Sequence, residues 1–293
     1  MKDYVIRAID KEKSIRIFIA TTTNVVEDAR KIHNTSPTVT AALGRTLTAS
    51  AIMGFMMKGE KDKLTLKIRG NGPIGNIIAV SNNKGEIKGY VQNPSADLPT
   101  RSDGKLDVGG VVGRSGKLTV IRDLGLKEPY IGQSNLITGE IGDDLAQYFV
   151  TSEQQPSAVA LGVLVDKDLS TKAAGGFILQ VLPNIQEENL VKLEQKINKL
   201  ESISKYIDKG YTPEELLERL FGEFQMEIKD KKEIKYTCDC SRERLEGVLI
   251  SVGEEELKKM IAEDGEAEVV CHFCNTKYHF NKEELEKLLE KAK

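Results

Sequence analysis

The sequence has no surplus of positive charge: 42 Lys and Arg against 45 Asp and Glu give a formal net charge of −3. Tight binding to a phosphate backbone needs clustered excess Lys and Arg, so nucleic acid is not expected as a partner. Long apolar runs are missing too. The opening MKDYVIRAIDKEKSIRIFIA carries charges throughout and lacks the apolar core of a secretory signal. The most apolar stretch, Ala49–Gly59, is far too short to span a bilayer. A cytoplasmic location without membrane association follows as the expectation. Trp is absent and aromatics make only 5% of the chain. No internal repeat and no low-complexity tail is visible. What remains is a globular composition, 40% hydrophobic and 30% charged, with length for one large or two ordinary domains.

Cysteine is missing until the last fifth of the chain, where all four appear as two tight pairs: Cys238 and Cys240 in YTCDC, Cys271 and Cys274 in VVCHFC. Thiols stay reduced in the cytoplasm, so paired cysteines there point to a metal or redox site and not to a disulfide framework.

Composition divides the chain into three. Residues 1–182 are rich in Gly and strand-like runs, and predict an α+β domain. Ser14–Thr23 alternates as a strand. Asn24–His33 reads as a short helix capped by Asn24, and Ser36–Met57 as a longer one with Ser36 as cap and Pro37 at its first position. The small residues of that second helix, such as Ala42, Gly44 and Ala51, allow close approach to a sheet. KLTLKIRG, NIIAVSN, EIKGYVQN, KLTVIRD, AVALGVLVD and GFILQVLP read as strands.

Residues 183–232 change character. Leu190, Leu193, Ile197, Leu200, Ile203 and Ile207 recur at spacings of three and four and predict one amphipathic helix. A second follows, with Thr212 as cap, Pro213 at its first position, Glu215 completing a capping box and Gly222 as stop. Glu227–Tyr236 is charged and reads as strand or linker. Residues 233–293 form a small segment around the cysteines, with helices over Glu254–Gly265 and Asn281–Lys293, the latter opened by an Asn281/Glu284 capping box.

Several weaker motifs do not survive their context. Gly70–Gly75 spells G-x-G-x-x-G, but a strand-like run follows where a dinucleotide fingerprint requires a helix, so it reads as a turn. His33 and Arg45 read as paired side chains, and Ile52–Met57 as a buried helix end. There is no G-x-S-x-G, no H-E-x-x-H and no nucleophile–base pair. No active site is legible, and the chain is not expected to be an enzyme.

The cysteine quartet is more specific. Four thiolates in two pairs suit the closed tetrahedral coordination of structural Zn²⁺. His272 and His279 lie nearby, but neither is needed as a ligand. Zinc contributes roughly 10–16 kcal/mol to such small folds, against about 5–15 kcal/mol for the net stability of a whole domain. The metal would therefore decide whether this segment folds, and oxidation of the thiolates would remove both. Two other readings stand beside that switch: a zinc-ribbon adaptor, and a thiol-disulfide oxidoreductase. The second is weakened because CHFC is followed by strand-like KYHF and not by the helix that lowers a catalytic thiol's pKa.

The C-x-C and C-x-x-C pairs, with TAALGRTLTASAIMG, GNGPIGNIIA, KLDVGGVVG, LTVIRDLGL, TSEQQPSAVALGVLV, AAGGFILQVLP and CHFCNTKYHF, resemble the thirty-three-kilodalton heat-shock chaperonin family over essentially the whole chain. The mass of 32.4 kDa agrees. The resemblance implies a redox-regulated, ATP-independent holdase of the bacterial cytosol, active in oxidative stress. It implies a chaperone body, a helical linker and a zinc-binding redox-switch domain at the boundaries given above. Cys238, Cys240, Cys271 and Cys274 are implied to hold one Zn²⁺ per chain in the inactive reduced state. The implied disulfides are Cys238–Cys240 and Cys271–Cys274, followed by zinc release, unfolding of the small domain and linker, binding of unfolding client proteins, and dimerisation. A disulfide between residues two apart closes a tight ring and would be readily reduced, as a reversible sensor requires.

Overall fold

A computed structural model describes residues 2–292 and divides into two compact units between Thr237 and Cys238. In chain order the first unit contains β1 (Tyr4–Asp10), β2 (Ile15–Thr21), α1 (Thr23–His33), α2 (Pro37–Phe55), β3 (Lys63–Gly70), β4 (Asn76–Asn82) and β5 (Glu86–Val91). It continues with α3 (Val108–Val112), β6 (Gly116–Asp123), β7 (Tyr130–Asn135), α4 (Gly142–Thr151), β8 (Ser157–Val165) and β9 (Thr171–Val181). Three helices follow, α5 (Glu187–Asn198), α6 (Ile203–Asp208) and α7 (Pro213–Phe221), and then β10 (Met226–Glu233) and β11 (Lys235–Tyr236). Strands and helices are segregated, not alternated, which is the α+β class expected from the sequence.

Two sheets organise this unit. One has the order β10-β1-β2-β9-β8 and is antiparallel throughout; the other has the order β11-β5-β4-β3-β6-β7, with β11 added in parallel to β5. Helix α2 lies between them. It is apolar on all sides, with residues from Thr38 to Gly54 buried except Arg45, and a helix of that kind needs cover all round. Its core joins Val5, Phe18 and Ile178 of the first sheet to Leu66, Ile77 and Val120 of the second. Ser36 caps it as expected, its Oγ accepting from Val39 N–H at 3.3 Å.

The other face of the five-stranded sheet is covered by α5–α7. Ile15, Ile17, Ile19, Phe177 and Leu179 pack there with Leu193, Ile203, Ile207, Leu216, Leu220 and Phe221. The single amphipathic helix expected over Leu190–Ile207 is broken between Lys199 and Ser202. Gly162 of β8 and Gly175 of β9 explain the break: α6 lies so close that a Cβ at either position would meet Ile203, Ser204 or Ile207. The chain bends to reach that contact while the apolar spacing runs on unbroken. Helix α7 has the expected capping box, with Glu215 N–H donating to Thr212 Oγ1 at 3.2 Å and Thr212 N–H to Glu215 Oε2 at 2.8 Å.

Helix α1 departs from expectation at its start. Its cap is Thr22, and Asn24 lies inside the helix. Val25 N–H donates instead to Asp3 Oδ2 at 2.8 Å, so a carboxyl group just ahead of β1 does the work assigned to Asn24. At the opposite end His33 Nε2 lies 3.0 Å from Gly89 O and 3.3 Å from Tyr236 Oη. Arg45 donates to Glu140 Oε2 at 2.5 Å. Both are paired side chains, as read. Ile52 and Met53 are buried at the end of α2, with Met56 and Met57 packed against the core. The Gly70–Gly75 segment is the β3–β4 turn; Gly72 and Ile74 spend their N–H groups on Val112 O and Val111 O of α3.

A further tie gives a pH prediction. Glu27 of α1 accepts from Arg30 Nε at 2.8 Å and from Thr171 N–H of β9 at 2.8 Å. The Arg30 hydrogen bond holds the Glu27 carboxyl at about 2, against burial acting the other way and with help from Thr171. A depressed folded pKa supplies stability that is complete above the ordinary value near 4.5 and disappears as pH falls toward about 2. Thermal melts of Glu27→Gln should therefore lose less stability than the parent between those two pH values, while being less stable above them. Parallel acid limbs for the two proteins would contradict the assignment.

The second unit holds α8 (Arg242–Ser251), α9 (Glu254–Glu263), the hairpin β12 (Glu266–Val270) and β13 (Lys277–Asn281), and α10 (Lys282–Lys291). Its core is small: Leu245, Leu249, Leu257, Phe280, Leu285 and Leu288 among the described residues. The Asn281/Glu284 capping box forms, with Glu284 N–H donating to Asn281 Oδ1 at 3.0 Å.

Candidate metal centre

Two local structures deliver the four thiols. Cys238 and Cys240 lie just before α8, whose first turn is capped by Ser241, its Oγ accepting from Arg244 N–H at 3.3 Å. Cys271 and Cys274 occupy the turn between β12 and β13. That turn closes through Asn275 N–H to Cys271 O at 2.8 Å and Cys271 N–H to Thr276 O at 3.0 Å. Asn275 takes the left-handed conformation, φ 57°, which an Asn side chain tolerates well. Arg242 ties the two parts together: it donates to His279 O at 3.0 Å and Glu284 Oε1 at 2.7 Å, and its guanidinium lies 4.3 Å from the Phe280 ring centroid.

The four Sγ atoms lie within 4.8 Å of one another. Cys238 and Cys271 sulfurs are 3.7 Å apart, and those of Cys240 and Cys274 3.3 Å. Zn–S bonds of about 2.3 Å in a tetrahedron put sulfurs about 3.8 Å apart. The spacing fits one such ion, and the donor set is all thiol, the soft closed set of structural zinc sites. All four thiols are free of disulfide bonds. Neither neighbouring histidine joins the cluster: His272 is exposed, and His279 Nε2 faces Glu268 Oε2 across the hairpin at 3.1 Å.

The electrostatics are uneven before any cation's charge is added. Burial pushes the Cys238 and Cys240 thiols up. Burial also raises Cys274, but hydrogen bonding with Thr276, and then with Cys240 and Cys271, outweighs it and brings that thiol down to about 7. Thr276 Oγ1 lies 3.2 Å from Cys274 Sγ, and Tyr278 Oη 3.4 Å from Cys240 Sγ. Hydrogen bonding with Cys240 holds the Tyr278 phenol up at about 12. A coordinated dication would deprotonate all four thiols. Thr276 and Tyr278 were not legible as functional residues. Their only sequence signal is position, two and four residues after Cys274. The C-x-x-C pair sits in a hairpin turn and not at a helix N-terminus, so it lacks the dipole that activates oxidoreductase thiols. With four ligands the coordination has no open position for substrate.

Comparison with known proteins agrees with the geometry. A family model described as "Hsp33 protein" matches residues 3–281. The chain is 54% identical over 288 residues to the 33 kDa chaperonin of Alkaliphilus oremlandii, covering 98% of this chain and 96% of that one. It is 48% identical over 290 residues to the 33 kDa chaperonin of Bacillus subtilis, covering 99% of both. The crystal structure of the 33 kDa chaperonin (heat shock protein 33 homolog) from Thermotoga maritima superposes with a TM-score of 0.90 at 42% identity, covering 99% of this chain and 98% of that one. With its four thiols gathered for one ion and its likeness extending from the first strand to the last hairpin, the chain belongs to the Hsp33 family.

Proposed function

We propose that the protein is a redox-switched, ATP-independent holdase that binds unfolding proteins in oxidative stress, and that it is a binding protein and not an enzyme. The observation that carries this reading is the four-thiol cluster set in a unit with a very small apolar core. The reading assigns residues 1–182 as chaperone body, 183–232 as linker and 233–293 as switch. It places the protein in the cytoplasm; among the described residues no helix is long and apolar enough to cross a membrane.

Cys238, Cys240, Cys271 and Cys274 would hold the ion. When bound, Zn²⁺ supplies cross-linking of the two cysteine pairs and keeps the thiols deprotonated. Each disulfide removes two electrons from two thiolates; one peroxide takes these with two protons from solvent and is reduced to two waters per bond. On this reading Cys238 joins Cys240 and Cys271 joins Cys274. The short sulfur contacts run between the pairs, from Cys238 to Cys271 and from Cys240 to Cys274. Pairing within each sequence neighbour would therefore pull the two halves of the cluster apart, and thiols consumed in this way no longer hold an ion. The helices α5–α7 cover a wide apolar sheet face; uncovering it would create the patch a client needs. Oxidised chains are expected to dimerise, and nucleic acid is not expected as a partner.

The test treats the zinc-loaded protein with peroxide at mildly raised temperature. It follows zinc with a chromogenic chelator, disulfides by peptide mapping, and aggregation of a diluted denatured enzyme. Zinc loss should accompany a gain in holding that a dithiol reductant reverses. Zinc release without that gain, or a gain that the reductant leaves in place, overturns the reading.

A further inference from the structure

Strand β7 is the last strand of the six-stranded sheet, and among the described residues its outer edge has no neighbouring strand. Leu136 N–H donates to Gly116 O at 3.0 Å, which sets the phase of the antiparallel ladder with β6. Ser134, Gly132 and Tyr130 turn their backbone groups toward β6, and Ile131, Gln133 and Asn135 turn theirs outward. A groove of about 470 Å³ lies at this edge, lined by Gln133, Ser134, Asn135 and Ile137 with Lys117 of β6 on one side and by Gln147 and Thr151 of α4 on the other. Ser134 is only 8% exposed, yet its Oγ has no hydrogen-bond partner. Such an orphan hydroxyl marks a place where a polar group is missing. The flanks are apolar and open to solvent: Ile131 is 55% exposed, Ile137 50% and Val150 51%. The end of the groove is fixed by Asp144, a buried carboxylate that accepts from Ile137 N–H at 2.7 Å and Ile141 N–H at 2.9 Å.

We propose that the β7–α4 groove is a client-binding subsite that takes an extended apolar segment of a non-native polypeptide as an added strand. The occupant rests on the holdase reading above. The chemistry fits a peptide backbone: alternating outward donors and acceptors on the strand, carboxamides and hydroxyls along the walls, one cation (Lys117) able to meet a carbonyl, and no acidic lining group. Recognition through the backbone is independent of sequence, while the apolar flanks favour hydrophobic segments. A second copy of this chain fits less well. Two β7 edges would oppose Gly132, Gln133 and Ser134 and bury little apolar surface, where stable interfaces need about 800 Å² from each partner. Three outward-facing residues make a weak site alone. Once the face beneath α5–α7 is uncovered, a client segment long enough to span from it to the groove would make the second contact intramolecularly.

The test uses the full-length protein and an unstructured apolar peptide. In the unmodified chain, peptide should slow amide exchange at Ile131, Gln133 and Asn135. Gln133→Pro removes an outward donor that the β6 ladder does not use, and Ile131→Lys puts a charge on the edge. Gln133→Pro should weaken peptide binding by about fivefold to tenfold, the equivalent of roughly one backbone hydrogen bond, and Ile131→Lys should weaken binding of an apolar peptide in the same direction. Zinc content, zinc loss on oxidation and the dimer fraction should stay unchanged. Absence of peptide protection at those three amides while oxidised protein still holds clients overturns the groove. A changed dimer fraction with unchanged peptide affinity does so as well, by assigning the edge to a second copy. Protection of the three amides without any oxidative gain in holding supports the groove and overturns the redox reading instead.

Discussion

Cys274→Ser is expected to unfold residues 238–293 in fully reduced protein, with no oxidant present. The apolar core of this unit, from Leu245 to Leu288, is too small to be robust alone. Zinc ligation supplies roughly 10–16 kcal/mol to folds of this kind, as much as or more than the about 5–15 kcal/mol that separates a whole domain from its unfolded state. Loss of a ligand should weaken zinc binding by more than the roughly 10–100-fold that follows loss of a group that only supports a ligand. Tyr278→Phe, which removes the hydroxyl 3.4 Å from Cys240 Sγ, supplies that milder comparison. Competition with a chelator measures both affinities, and limited proteolysis locates the unfolding. Cleavage should fall within 238–293 while strand amides of the two large sheets stay protected. Zinc affinity equal to that of the parent protein would contradict ligation by four thiolates.

What the sequence disclosed depended on how local each signal is. The four-thiol cluster was legible because its cysteines come as two short pairs, a spacing that suits one metal ion. Strands β3 to β6 were legible because one face of each is buried, which leaves alternation in the sequence. Strand β7 was not. YIGQSN has a glycine in its middle, an exposed Ile131 before it and three polar residues after it, since it lies at an open edge and little of it is buried. The break between α5 and α6 was hidden for a different reason. Its cause lies on β8 and β9, where Gly162 and Gly175 admit Ile203, Ser204 and Ile207, while the apolar spacing of the helices continues across the bend. Asp3 as cap of α1 was equally out of reach, because the carboxyl group arrives from just ahead of β1. The charged stretch ending at Tyr236 gave no hint of its topology. It returns to pair with β1 and then adds to β5 in parallel, closing both sheets with residues more than 140 positions from those partners.

Phe221→Ala is expected to produce client holding in reduced, zinc-loaded protein. The Phe221 ring is 1% exposed and meets Phe177 of β9 edge-on, with centroids 5.4 Å apart. Removing it costs about 3–5 kcal/mol through lost transfer energy and the cavity left behind. That loss falls on helices joined to the sheet mainly by apolar contact. Among the described residues the polar ties from sheet to helices include Tyr4 Oη to Glu214 Oε2 at 2.5 Å, Lys231 Nζ to Glu214 Oε1 at 2.7 Å and Lys172 Nζ to Asp208 Oδ1 at 3.3 Å, only the last reaching α6. The two lysine pairs are surface pairs of the kind worth about 0–1 kcal/mol each. Segments open locally at free energies below that of global unfolding, so the penalty should appear as opening of α7 before the sheets are lost. The uncovered face carries Ile15, Ile17, Ile19, Phe177 and Leu179, a continuous apolar surface. Binding of an environment-sensitive dye and suppression of client aggregation should both rise, with zinc content unchanged and amide exchange fastest in α7. Phe18→Ala is the control. Its ring meets Phe55 of α2 on the opposite side of the same sheet, at 6.2 Å, so its loss should lower the melting temperature of the whole unit without selective opening of α7. If Phe221→Ala behaves like that control, with a lower melting temperature and no gain in dye binding or holding, the concealed surface lies elsewhere.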